Sequence, residues 1–229
     1  MFHHYINLAL LFVAGLNLGL AVVIWSWNPK HIINISMALS ITFLASWTLG
    51  MAMFRESSNE LTAWAWTWLQ NGSGSLIVIS FYILSIYFPY QTQIIKPWQY
   101  VAMAASVVVM LLIVFIPGAW IVKINLNPTN NDYELNRFGL TYFNIHFYFY
   151  LVLAFQNLFK KYSSMSGSGF AKTQLFFLLT SGGIIALFGS IFAAFVPFVY
   201  GHLGPYWLGP FFSLPMIAIL LWFMYRTCR

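Results

Sequence analysis

Acidic side chains are nearly missing from this chain. It has four Asp and Glu in 229 residues, ten Lys and Arg, and a charged fraction of 6%. A soluble domain carries about a quarter of its residues as charge, so this composition excludes an ordinary water-facing surface. Cysteine is missing too, apart from Cys228, which rules out a disulfide framework. The long apolar stretches hold no Asp, Glu, Lys or Arg away from their ends. Proton pumps, ion-coupled transporters and voltage sensors depend on such intramembrane groups, and a retinal protein needs a lysine near the middle of its last helix. No Gly-x-Ser-x-Gly, His-Glu-x-x-His or Gly-rich phosphate loop occurs, so the usual hydrolase and nucleotide signatures are lacking as well. The chain reads as a non-enzyme.

What is present is apolar and aromatic: 61% hydrophobic, 20% Phe, Trp and Tyr, with a mean hydropathy of +0.78. A hydrocarbon core of about 30 Å needs roughly 20 apolar residues per helical crossing. Stretches of that kind lie at 5–27, 32–54, 64–88, 98–117, 141–159, 173–199 and 205–225. Lipid offers the backbone no hydrogen-bond partner, so each stretch must be a helix. The expectation is an all-α integral membrane protein, a single domain over 1–229 with seven transmembrane helices. The first stretch has no basic leader and no small-residue cleavage site, and reads as a helix rather than a signal peptide.

Sorting charges between alternate loops gives an orientation. Lys30, Lys96, Lys160, Lys161, Lys172, Arg226 and Arg229 fall on one side. Arg55, Lys123 and Arg137 fall on the other, with Glu56, Glu60, Asp132 and Glu134. The more basic side is expected to be cytoplasmic, with the N-terminus outside and the C-terminus inside, in a bacterial inner membrane. The net charge of +6 is thus a topology and lipid signal, and nucleic acid is not an expected partner.

Residues 118–140 are too polar to span. Trp120, Val122, Ile124 and Leu126 alternate with Ile121, Lys123 and Asn125. Turn residues follow over 127–132, before a return segment from Tyr133 to Leu140. This predicts an outer β-hairpin between the fourth and fifth helices. The loop from Lys160 to Lys172, with its serines and glycines, is expected to be mobile and basic.

Small residues at four-residue spacing line one helical face: Gly182, Ala186, Ser190 and Ala194 in the sixth span, Gly15 and Gly19 in the first. Helices in lipid associate through such close packing, and a homo-oligomer face is an alternative use of the same stripes. Pro205, Pro210 and Pro215 predict a bent seventh helix. The polar interior is made of amides, hydroxyls and aromatics. Asn71, Ser73, Ser75, Tyr82, Asn144, His146 and Tyr148 are the candidate ligand-binding residues, forming an aromatic-polar pocket for a lipid or a quinone-like molecule. His3, His4, His146 and His202 fall toward one end, but their spacing matches no metal site. His146 and His202 are the only candidates for a haem or pigment.

The order of several features resembles the N-terminal seven-transmembrane sensor region of bacterial histidine kinases. They are Asn17, Asn28-Pro29-Lys30, Asn34, Trp47, Gly50, Phe81-Tyr82 and Phe88-Pro89. Lys172-Thr173-Gln174-Leu175, Gly182-Gly183, Gly189, Pro197, Leu208-Gly209-Pro210 and Tyr225-Arg226 continue the series. The resemblance implies a bundle that senses a small or lipophilic signal and passes a movement of its last helix to a cytoplasmic partner. It departs from the family in having no phosphoacceptor helix or ATP-binding segment in these residues. Output would then run through a separate membrane or cytoplasmic protein docked on Lys160, Lys161, Lys172, Arg226 and Arg229. Two alternatives stay open: a non-catalytic subunit of a larger membrane complex, and a pigment carrier or lipid-handling enzyme.

Overall fold

A computed structural model describes residues 2–90, 94–127, 131–165, 169–196, 199 and 206–217. Among them, six helices are long and apolar enough to cross a membrane: α1 (Phe2–Trp27), α2 (Ile32–Arg55), α3 (Glu60–Tyr87), α4 (Pro97–Phe115), α5 (Arg137–Ser164) and α6 (Phe170–Ser190). The protein is a helical, multi-pass membrane protein.

Hydropathy locates lipid; capping side chains locate helix ends. Asn59 Oδ1 accepts from the Thr62 amide at 2.9 Å, so α3 starts at Glu60. Asn136 Oδ1 accepts from the Phe138 amide at 2.9 Å, so α5 starts at Arg137. Both starts precede the apolar windows by four residues, because the first helical turn needs its free amides satisfied and not its side chains buried. Lys96 opens α4, with Pro97 at the first helical position and Gln99 Oε1 accepting from the Lys96 amide at 2.8 Å.

The last apolar region departs from a plain helix. Beyond α6 the chain continues as a π-helical turn, Ile191–Phe195, and after residues outside the description it winds as a 3₁₀ segment, Tyr206–Phe212, containing Gly209 and Pro210. Residues 213–217 then become α-helical. Proline removes an amide from the i to i−4 ladder, which favours the tighter winding locally. Pro197, His202, Pro205, Tyr225, Arg226, Cys228 and Arg229 lie outside the described residues, as do the His3 and Ala194 side chains and positions 166–168 of the loop after α5.

β1 (Ile121–Asn125) and β2 (Asp132–Leu135) form an antiparallel hairpin, with Ile124 opposite Tyr133 and Asn125 opposite Asp132. Two details correct the sequence expectation. The return strand stops at Leu135, since Asn136 already caps α5. A bulge between Ile121 and Lys123 shifts the alternation by one residue. Trp120, Ile121 and Ile124 are buried, while Val122 faces out and Leu126 is largely exposed. The buried set joins Tyr133, Leu140, Met110, Phe54 and Tyr206 in one core, so the hairpin is a lid packed on the helix ends.

Asn131 fastens that lid. Its Nδ2 donates to the Phe54 carbonyl at 2.9 Å and the Ser57 carbonyl at 2.7 Å. Its Oδ1 accepts from the Asn127 amide at 3.0 Å. Leucine at this position removes all three bonds, a loss of about 2 kcal/mol. Asn131→Leu should therefore raise amide exchange in 121–135 by at least about tenfold while the six helices stay protected. Unchanged exchange in the hairpin would rule this anchor out.

Candidate ligand cavity

Between α2, α3, α5, α6 and the 3₁₀ segment runs a cavity of about 150 Å³. Along α3 its wall extends from Gln70 to Leu84, about 21 Å at the rise of an α-helix. The cavity thus follows α3 as an elongated slot. Met37, Ile41, Leu84, Leu178 and Met216 line the end away from the hairpin, and Phe81, Phe147 and Leu151 line its middle.

Glycines shape this slot. A Cβ on Gly209 would meet the Trp47 ring at 3.0 Å, and one on Gly74 would meet the same ring at 3.5 Å, so Trp47 lies between α3 and the 3₁₀ segment. A Cβ on Gly182 would meet Phe81 at 3.3 Å. Gly182, Ala186 and Ser190 all line the cavity. The small stripe of α6 therefore makes room inside the bundle as well as contact between helices. Gly15 and Gly19 have nothing within 4 Å of an added Cβ and lie on the exposed face of α1.

The hairpin end of the slot is polar. Gln70, Asn71, Trp120, Tyr133 and Tyr206 line it, and each is buried. Gln70 Nε2 reaches the Tyr133 hydroxyl at 3.4 Å, and Asn71 Nδ2 donates to the Thr67 carbonyl at 2.9 Å. Gln70 Oε1 and Trp120 Nε1 have no hydrogen-bond partner among the described residues. The Tyr206 hydroxyl lies beside the Arg55 guanidinium and near Asp132. Burial, with Tyr206 alongside, pushes the Tyr133 hydroxyl well above the ordinary phenol range and keeps it neutral.

Arg55 is not the loop residue its position in the charge count suggests. It ends α2 and is buried, with Nε donating to Asn7 Oδ1 at 2.8 Å. Asn7 Nδ2 in turn donates to Glu56, so the amide bridges cation and anion. Sequence reasoning passed over Gln70, Trp120 and Tyr206. The first looked like a helix residue beside the more polar 71–75 run, and the other two belong to segments whose fold places them against α3 only in three dimensions.

Of the seven candidate ligand residues, Asn71 lines the cavity. Ser73 and Ser75 donate to carbonyls of their own helix, Leu69 and Gly72. The Tyr82 ring lies 5.6 Å from that of Tyr150, on the α5 side and off the cavity wall. Asn144 is not among the cavity-lining residues, and its buried Oδ1 has no partner among the described residues. Tyr148 is 36% exposed on the outer face of α5.

His146 joins three helices. Its Nε2 lies 3.2 Å from the Ser75 carbonyl on α3, and its Nδ1 lies 2.8 Å from Ser106 Oγ on α4. A carbonyl only accepts, so Nε2 carries the proton, and Nδ1 of the neutral ring accepts from Ser106. Both nitrogens are thereby used in holding helices, which leaves no lone pair for a haem in this arrangement. Among the described residues, no three His, Cys, Asp or Glu side chains come together as metal ligands.

At the opposite end, Lys161 Nζ donates to the carbonyls of Ser85 at 3.0 Å, Ile86 at 2.6 Å and Phe88 at 2.8 Å. It closes the C-terminus of α3. Lys172 Nζ donates to the Met165 carbonyl at 2.8 Å and sits 5.2 Å from the centre of the Tyr162 ring. Lys160 is exposed. Of the five basic residues expected to dock a partner, two are thus bound within the bundle and two are outside the described residues.

These features define a helical membrane protein with an internal slot, apolar along its length and polar at one end. No family model, curated protein or solved structure matches the chain.

Proposed function

We propose that this protein is a receptor-like sensor bundle of the bacterial inner membrane. In this reading it binds a lipophilic ligand and signals through a separate protein. The observation that carries the reading is the slot itself: an apolar cavity with Gln70, Asn71, Tyr133 and Tyr206 at one end. An apolar cavity with a few polar residues at one end suits a lipid-like molecule.

The signalling step rests on the 3₁₀ segment. Tyr206 and Gly209 lie at or against the cavity wall, and the chain runs from there through Ser213, whose hydroxyl accepts from Asn17 Nδ2 at 3.0 Å. An occupant that prefers one placement of this segment over another shifts the population of the two, and the following residues, with Arg226 and Arg229, carry the change onward. Those residues complete a seventh crossing in this reading, with the hairpin outside and Lys160 among the inner docking groups. The accessory-subunit alternative had the stripe Gly182, Ala186 and Ser190 holding a partner; its placement on the cavity wall favours the sensor reading.

Native mass spectrometry on gently extracted protein tests the proposal. Wild-type protein is expected to carry one copy of a lipophilic molecule of a few hundred daltons. Ala186→Phe, which fills the slot at mid-height, should lose it at unchanged expression. Full retention by Ala186→Phe, or recovery only as part of a large assembly with no small molecule bound, would sink it.

A further inference from the structure

We infer that Trp47 and Ser190 form a docking station inside the slot, where the Trp47 indole N–H donates to a ring carbonyl of a quinone-like lipid. The inference rests on the ligand-cavity reading above and adds the class of occupant and the residues that hold its ring.

Trp47 stands where the slot changes character. Gly74 beside it lies one helical turn beyond the polar pair Gln70 and Asn71. In the other direction the α2 wall continues through Leu44 and Ile41 to Met37, about 15 Å of apolar helix. The five-membered edge of the indole faces α3, with Cδ1 3.5 Å and Nε1 3.8 Å from where a Gly74 Cβ would stand, and the six-membered edge faces Gly209. Trp47 Nε1 has no hydrogen-bond partner among the described residues. The unpaired nitrogens of Trp68 and Trp120 are sealed in packed protein, whereas that of Trp47 is not. Gly74 is buried and lines the cavity, so the open side of the Trp47 nitrogen is the cavity.

Ser190 offers a second group. Thr180 and Ser181 donate to carbonyls four residues back on α6, the local bond that spends a hydroxyl on its own helix. Ser190 makes no such bond and no cap bond, yet it lines the cavity. Its neighbour Gly189 has its Cα 4.0 Å from where a Gly209 Cβ would stand, which brings this end of α6 to the level of the Trp47 ring.

The walls here suit a flat ring. Phe143 comes within 3.7 Å of the Gly74 Cβ position and stacks on Phe147 with ring centres 5.8 Å apart, and both line the cavity with Trp47. Aromatic side chains favour another ring set offset or edge-on to them. An indole N–H only donates, so the atom it meets must accept, and a carbonyl on that ring supplies the acceptor. The apolar run toward Met37 takes the alkyl tail.

The experiment measures retention of three probes by the full-length purified chain. Decylubiquinone has ring, carbonyls and tail; 1-phenyldecane keeps ring and tail; methyl oleate keeps a carbonyl and tail without the ring. Each is incubated with the protein, and bound probe is quantified by mass spectrometry after gel filtration. Decylubiquinone is expected at one copy per chain, about tenfold over either of the others, the worth of one buried hydrogen bond. Trp47→Phe keeps an aromatic ring and removes the donor, so it should lower decylubiquinone retention about tenfold and leave 1-phenyldecane unchanged. Ser190→Ala should lower decylubiquinone retention by about threefold. Equal retention of decylubiquinone and 1-phenyldecane, retention led by methyl oleate, or a Trp47→Phe protein that keeps decylubiquinone or loses both ring probes equally would overturn the inference and leave the cavity reading intact. The comparison of probes on wild-type protein decides the matter even where Trp47→Phe folds poorly. If Ala186→Phe retains all three probes as wild type does, the cavity reading itself fails.

Discussion

Gly50→Ala should cost the bundle about 2 kcal/mol, although alanine is the better helix former. The added Cβ would stand 2.7 Å from the Gln70 backbone nitrogen and 2.9 Å from its Cα. No side-chain rotation relieves a collision with backbone, so α2 and α3 must separate along their closest contact. Overpacking of this kind typically costs 1–3 kcal/mol, and the helix-propensity gain of up to about 1 kcal/mol offsets only part of it. The displacement also moves Gln70, in the wall at the polar end of the cavity. The same variant should therefore lose bound ligand at temperatures where it is still folded. Thermal unfolding in detergent, read beside native mass spectra of the folded fraction, checks both effects. A variant as stable as wild type would mean that the two helices are not in contact at Gly50.

The second large effect is expected from Lys161→Met. Methionine keeps the length of the side chain and removes the ammonium that satisfies three carbonyls at the end of α3. Helix C-termini leave carbonyls without intrahelical partners, and a cation placed there also meets the negative end of the helix dipole. Hydrogen bonds inside membrane proteins average well under 1 kcal/mol each, but those to a charged donor run higher. Together they place the loss at about 2–4 kcal/mol. Lys161→Arg should restore part of it, whereas Lys160→Met, on the exposed neighbour, should leave stability unchanged. If both methionine variants were equally mild, Lys161 would act as a surface charge and would be available to a partner after all.

These two predictions concern residues that look alike in sequence and differ in space. Lys160 and Lys161 are adjacent and equally basic, yet only the second turns inward, because α5 presents that position to the end of α3. Gly15 and Gly182 both sit in four-residue small stripes. One opens onto the outer face of α1 and the other onto Phe81 and the cavity, and only the packing of α6 against α3 and α5 distinguishes them. Asn71 and Ser73 are two residues apart on one helix; the former reaches the cavity, while the latter spends its hydroxyl on its own backbone.

By itself the sequence determined that the chain lives in lipid, that its crossings are helices, and that a hairpin stands between the fourth and fifth. These are consequences of solvent and backbone chemistry: hydrocarbon admits no unpaired amide, and a polar stretch cannot cross it. Tertiary structure alone decided which polar groups meet. Arg55 is counted with a loop but buried at the end of α2. His146 is a free imidazole on paper and a three-helix tie in the fold. Gln70, Trp120 and Tyr206 come from three separate segments and converge at one end of the slot. Contacts between residues tens of positions apart depend on helix rotation and depth, and neither leaves a mark in composition or local spacing.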